Sequence, residues 1–203
     1  MNGTMTMSYT GTSTLEPCGS SSYYMPGPMT VTISYGSNFT MTTSGSTSTL
    51  SGSQSFSNKE TCTSNTATMI SKQTIPTGST FTITTSSGTI TLSNMNQTMT
   101  MTLSSNGGLP SSFQTYGSLD MTNTALSGTP FSGTLSITIG SSTAPWTMDM
   151  AGSPPYPTSG TITVSDPNGN SITITAEPNQ QVQIVQVVNG TRTTTTESWS
   201  SFV

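Results

Sequence analysis

An all-β fold of antiparallel strands is what this chain predicts. Three observations support it: apolar residues recur at every second position, Thr is abundant, and turn residues separate the alternating runs. Period-two alternation sends successive side chains to opposite faces, so one set enters a core while Thr, Ser or Gln faces water. Strands with one wet face each build a sandwich or a barrel. The chain has 203 residues, enough for one or two domains. Only 30% of them are hydrophobic and only 5% are charged. Disordered chains pair low hydrophobicity with high charge, and the second half of that combination is missing here. The long Ala, Glu, Lys and Leu runs of a helical protein are also missing.

The alternation can be followed in order. It runs through Met5–Tyr9, Met29–Tyr35, Phe39–Met41, Phe81–Ile83, Ile90–Leu92 and Met99–Leu103. It resumes at Leu135–Ile139, Ile162–Val164, Ile172–Ile174 and Val182–Ile184. Asp166-Pro167-Asn168-Gly169-Asn170 separates two matched runs and predicts a hairpin. Asn189-Gly190 predicts a second, folding Gln181–Val188 back on Thr191–Trp199. Asn106-Gly107-Gly108 and Gly152–Pro157 read as loops. The stretch Thr42–Ser57 is nearly all Ser, Thr and Gly, and reads as an edge excursion or a mobile loop. A soft internal boundary falls near residues 104–112, and no repeat of fixed length is present.

Charge is scarce, which excludes whole classes of function. The cations are Lys59, Lys72 and Arg192, and there is no histidine. Three cations cannot build the positive surface that nucleic acid or anionic lipid requires, so no nucleic-acid partner is expected. The acids Glu16, Glu60, Asp120, Asp149, Asp166, Glu177 and Glu197 are scattered. Few carboxylates can lose a native partner on acidification, so the fold should be insensitive to pH.

Candidate chemistry is correspondingly thin. The many Ser and Thr hydroxyls lack a histidine to activate them. Asp149 and Glu177 formally offer a glycosidase-like carboxylate pair, but nothing in their spacing favours that over two solvated acids. The Asp166–Asn170 segment echoes a calcium loop without its alternating acids or closing Glu, and a hairpin accounts for it better. The repeated Thr-x-Thr units are too irregularly spaced for an ice-binding array. The chain has thirteen methionines, and Met5, Met7, Met29, Met41, Met99 and Met101 sit where strands would point them into a core. Core packing is therefore preferred to soft-metal binding by thioethers. The chain is expected not to be an enzyme and to need neither cofactor nor metal.

Cys18 and Cys62 match the parity of one disulfide, which would close a loop of about 45 residues and contribute roughly 4 kcal/mol. A Ser/Thr-rich, Lys-poor chain with such a bridge fits export, where disulfides persist. No apolar run is long enough to span a membrane and no signal peptide stands at the front, so the mature chain is expected here. Four N-x-Ser/Thr sequons begin at Asn2, Asn38, Asn96 and Asn189.

The N-terminal segment is the most informative. Met5, Met7 and Tyr9 alternate with polar residues, and a polar stretch through Gly11 separates them from Leu15-Glu16-Pro17-Cys18. A tethered terminal strand can complete its own sheet. It can equally complete a neighbour's sheet, and that contact repeats without closing and makes a filament.

The Met5/Met7/Tyr9 strand, the Ser/Thr-rich alternation, one cysteine pair, the sequons and the minimal charge together resemble the thread filament subunits of thermoacidophilic archaea. The resemblance rests on composition and layout across the whole length. It implies an antiparallel Ig-like, pilin-like β-sandwich with an N-terminal donor strand. Residues 1–14 would be the donor strand and linker, with Met5, Met7 and Tyr9 as its insertion side chains, and 15–203 the sandwich body. It further implies a homopolymer of identical subunits in an extracellular, cell-surface adhesion filament, carrying covalent N-glycans at Asn2, Asn38, Asn96 and Asn189. The residues also allow another reading, a monomeric secreted carbohydrate-binding or surface-layer module. Its aromatic platform would be Tyr23, Tyr24, Trp146 and Tyr156.

Overall fold

A computed structural model describes residues 3–11, 14–19, 22–43, 46–64, 66–102, 110–124, 130–151 and 155–202. Among them almost every stretch with alternating side chains is extended. The first strands are β1 (Met5–Gly11), a small hairpin of β2 (Glu16–Cys18) and β3 (Ser22–Tyr24), and the long pair β4 (Met29–Thr43) and β5 (Ser46–Thr63). β6 (Thr66–Thr74), β7 (Thr80–Thr85), β8 (Gly88–Thr102) and β9 (Ser112–Asn123) follow. The C-terminal part holds β10 (Thr134–Ile139), β11 (Trp146–Asp149), β12 (Tyr156–Ser159), β13 (Thr161–Ser165), β14 (Ser171–Glu177), β15 (Gln181–Val188) and β16 (Thr191–Ser198). A 3-10 turn, Trp199–Ser201, follows β16 near the end of the described residues.

The expected all-β, antiparallel architecture of the sandwich class is what forms. One sheet has the order β1-β4-β5-β6-β8-β9-β10-β13-β14-β15-β16, with β7 lying between β5 and β8, and β11 joining β9 to β12. β2 and β3 make a separate pair. Both hairpins expected from turn chemistry are present, with Ser165 opposite Ser171 and Val188 opposite Thr191.

Several adjacent strands break at the same level, and this line positions the core. β4 loses register between Tyr35 and Phe39. β8 does so between Ser93 and Asn96. β6 and β7 run in line along β5, interrupted by residues 75–79. Bulges of this kind bend strands and increase local twist. Two glycines make the close approaches possible. A Cβ on Gly52 would lie 1.9 Å from the Thr80 carbonyl oxygen, and one on Gly117 would lie 2.1 Å from that of Asn96. Both residues have positive φ, at 93° and 139°. The buried cluster of Ile75, Phe81 and Met95 sits on this line, flanked by Tyr35, Leu50, Ile83, Leu92 and Leu119.

The opposite face is held by hydroxyls. Thr32 and Ser55 approach to 2.8 Å, and Thr30 donates to Ser57 across the same strand pair. Thr161–Thr175 and Thr163–Thr173 repeat the arrangement between β13 and β14. Cross-strand hydroxyl pairs of this sort each contribute roughly 0.2–1 kcal/mol without any charge.

Three expectations need correction. Thr42–Ser57 is neither excursion nor loop, because its described residues lie in β4 and β5, and β5 is paired on both sides. Backbone ladders do not need apolar side chains, so a Ser/Thr strand can lie inside a sheet without alternating hydrophobicity. Pro157, expected in a loop, is a buried residue of the short strand β12. That position suits proline because β12 pairs with β11 alone. Among the methionines expected to enter the core, Met5, Met7 and Met41 are exposed, whereas Met95, which is not among them, belongs to the central cluster. Asn106-Gly107-Gly108, most of the 104–112 boundary and residues 152–154 lie outside the described residues.

Candidate functional site

β1 forms one edge of the large sheet. It pairs with β4 of its own chain over seven residues, with Met5 opposite Tyr35, Met7 opposite Ile33 and Tyr9 opposite Val31. The Gly36 amide extends the ladder by donating to the Thr4 carbonyl at 2.9 Å. Period-two geometry places Met5, Met7 and Tyr9 on the same face as the β4 apolar residues they oppose. The Tyr9 hydroxyl also contacts the Met7 thioether.

The burial of this strand does not match its composition. Every residue of β1 is exposed. Met5 keeps 47% of its surface in water, Met7 40% and Tyr9 62%. The outer backbone edge is also open, because among the described residues β1 has no second neighbour in the sheet. An exposed, uncharged edge strand with large apolar side chains is a ready template for pairing with another chain.

The leash behind β1 is short and firmly rooted. Cys18 and Cys62 form a disulfide that ties β2 to the end of β5. Nearby, the Met25 amide donates to the Glu60 carboxylate at 2.8 Å, and the Glu60 amide donates to the Met25 carbonyl at 2.9 Å. Cys18 and Met25 are therefore both held against β5. Gly11 can travel no farther from Cys18 than seven extended residues allow, about 25 Å.

The other candidate residues are scattered through the fold. Of the sequons, Asn96 is exposed in β8 and Asn189 is exposed at the β15–β16 turn, with φ of 50°. Asn38 lies in β4, and Asn2 lies outside the described residues. The proposed aromatic platform is not assembled, because Trp146 is 5% exposed and belongs to the interior. Tyr156 donates to Asp149 and Tyr24 to Glu16, while Tyr23 is left exposed. These carboxylate partners raise both phenol pKa values above the ordinary one. The second Asp149 oxygen accepts the Ala151 amide. Glu177 stands at the far end of β14, opposite Gln181.

Asp166 is the most thoroughly engaged acid. One carboxylate oxygen accepts the amides of Asn168 and Asn170, both at 2.9 Å. The other accepts the Ser132 amide and the Asn170 side-chain amide. Asn170 also donates to the Pro130 carbonyl and accepts the Asn189 amide, joining three loops. Burial pushes the Asp166 carboxyl up, but these donors outweigh it and hold it below the ordinary range. Four N–H groups occupy the oxygens that a calcium ion would need, so this loop is a turn clamp.

A shallow cavity of about 210 Å³ beside Gly140 and Gly160 is lined by Thr138, Thr161, Thr163 and Ser141, with no ionisable side chain. It offers hydroxyls but no acid or base. Among the described residues no cluster of His, Cys, Asp and Glu could hold a metal ion, and no helix is long and apolar enough to cross a membrane. The disulfide fits an oxidising environment outside the cytoplasm. Compared with protein-family models, with curated proteins and with solved structures, the chain matches none.

Proposed function

We propose that this chain is the structural subunit of an extracellular cell-surface filament, assembled head-to-tail by strand donation. One observation carries the reading: an edge strand bearing Met5, Met7 and Tyr9 is paired in register, yet each of its residues is exposed. In the filament, β1 would leave its own β4 and occupy the equivalent place on the next molecule, where Val31, Ile33 and Tyr35 wait in the same register. The backbone ladder is the same whether donor and acceptor belong to one chain or two. Pairing with β4 alone leaves these side chains equally wet in either case, so the gain comes from other surface of the neighbouring subunit closing over Met5, Met7 and Tyr9, roughly 1.5–3 kcal/mol for each one fully buried. The contact is heterologous, so it repeats into a fibre instead of closing into a dimer.

The rooted leash supports this reading, since the disulfide at Cys18 limits donation to an adjacent subunit. Glycans on Asn96 and Asn189 would sit on exposed residues of β8 and of the β15–β16 turn, neither of which pairs with β1. In such a subunit the chemistry is recognition and not catalysis. Electron microscopy of material sheared from the native cell surface, with the chain identified by peptide mass spectrometry, tests the reading. Thin filaments composed mainly of this chain are the expected result, and soluble monomers or a sheet-like surface layer would end it.

A further inference from the structure

We infer that Met69, Met99 and Met101 form a thioether site for one soft monovalent cation of the Cu(I) or Ag(I) class. The site rests on pairing register and is independent of the filament reading. Met69 of β6 stands directly opposite Met101 of β8. Met99 is two residues along β8, so it shares their face. Residues directly opposite on antiparallel strands have Cβ atoms about 4.5–5.5 Å apart, and diagonal neighbours lie about 7–8 Å apart. Three long, unbranched thioethers so placed can converge on one ion. The residue opposite Met99 is Ser71, whose short side chain leaves space beside them.

Core filling at the central cluster does not use these three residues. All are only half-buried, and none belongs to the central cluster of Ile75, Phe81 and Met95. Their row continues on one side through Phe113, opposite Met101, and on the other through Glu60, opposite Met69. The aromatic neighbour favours sulfur contact, and the Glu60 position puts a carboxylate at the opposite end of the row.

Neutral sulfur donors select soft cations over magnesium, calcium or manganese. The rest of the chain sharpens that selectivity. It has no histidine, and both cysteines are locked in the disulfide. Thioethers are therefore the soft donors this protein can offer, and among the described residues no group of three or more His, Cys, Asp or Glu is assembled for Zn(II).

The test is titration of the full-length chain, methyl-labelled on methionine, with silver nitrate while the thirteen methionine methyl signals are followed by NMR. The expected result is one equivalent bound, with the Met69, Met99 and Met101 signals moving together and Zn(II) moving none of them. Met69→Leu and Met101→Leu keep the volume nearly constant, so the fold is retained and checked by the remaining signals. Each should weaken binding by about tenfold or more, whereas Met5→Leu and Met7→Leu should leave it unchanged. Absence of binding, shifts confined to Met5, Met7 and Met41, or unchanged affinity in Met101→Leu would each overturn the assignment.

Discussion

Met7 lies directly across from Ile33 in an unbroken antiparallel ladder, yet 40% of its surface remains in water. A residue held in register but incompletely covered marks an edge that another molecule can finish. The first prediction tests that incompleteness. Deleting residues 1–14 should expose the β4 edge and leave a chain that aggregates or unfolds at a lower temperature. Adding a peptide of residues 4–11 should restore a soluble monomer. A truncated chain that stays monomeric and equally stable by thermal melting would argue against strand donation.

Met7→Lys should act more selectively. The charge is tolerated on an exposed edge, so the isolated chain should melt within a few degrees of the parent. Assembly should weaken by roughly 10- to 150-fold, the equivalent of losing one buried apolar side chain at about 1.5–3 kcal/mol. Light scattering during polymerisation separates the two effects.

The disulfide anchors β2, downstream of β1, to β5 and closes a loop with a sequence separation of 44. Replacing Cys18 and Cys62 together with Ser should cost about 2–5 kcal/mol in denaturant unfolding. The slope with denaturant should change as well, because the unlinked unfolded chain exposes more surface.

Stability should be nearly flat across a wide pH range. Asp166 has a lowered folded pKa, so its contribution is present above the ordinary carboxylate pKa near 4 and is lost only as pH falls through the lower folded value. Tyr24 and Tyr156 have raised folded pKa values. Their contribution is present below the ordinary phenol pKa near 10 and is lost as pH rises through the higher folded ones. Melting temperatures measured from pH 2 to 11 should show a plateau between about 4 and 10. Asp166→Ala should lower the plateau and remove most of its acid-side fall.

Gly117→Val should be among the most damaging single changes. The new Cβ would meet the Asn96 carbonyl at 2.1 Å, on a backbone with positive φ. A loss of roughly 3 kcal/mol or more in urea unfolding is expected. The change touches neither β1 nor the thioether row.

Much of the fold is legible in the sequence where side chains alternate. Met29–Tyr35, Leu135–Ile139 and Val182–Ile184 all lie in strands, and Asn189-Gly190 turns where its chemistry requires. The signal fails where backbone pairing does not depend on apolar side chains, as in the Ser/Thr-rich start of β5. It also fails for β9, whose Phe113, Tyr116, Leu119 and Met121 do not keep a strict period of two. Positive-φ glycines such as Gly117 make β9 cross the bend, and no local pattern announces that. The candidate site is half legible. Residues 5, 7 and 9 are recognisable as a strand, but only the three-dimensional register shows that β4 is their partner and that they stay wet. The neighbourhood of Met69 and Met101 depends on pairing across 32 residues and has no local signature.

The central claim is that β1 is donated between chains, and the Met7–Ile33 pair offers its most direct test. Directly opposed Cα atoms on antiparallel strands are about 4.5–5.5 Å apart, within reach of a disulfide. A chain carrying Met7→Cys and Ile33→Cys should be assembled under reducing conditions, oxidised, and run on a non-reducing gel, with the bridge mapped by peptide mass spectrometry. Strand donation predicts a ladder of covalent multimers joined through positions 7 and 33 of different chains. A single monomer band holding only the intrachain 7–33 bridge would contradict it.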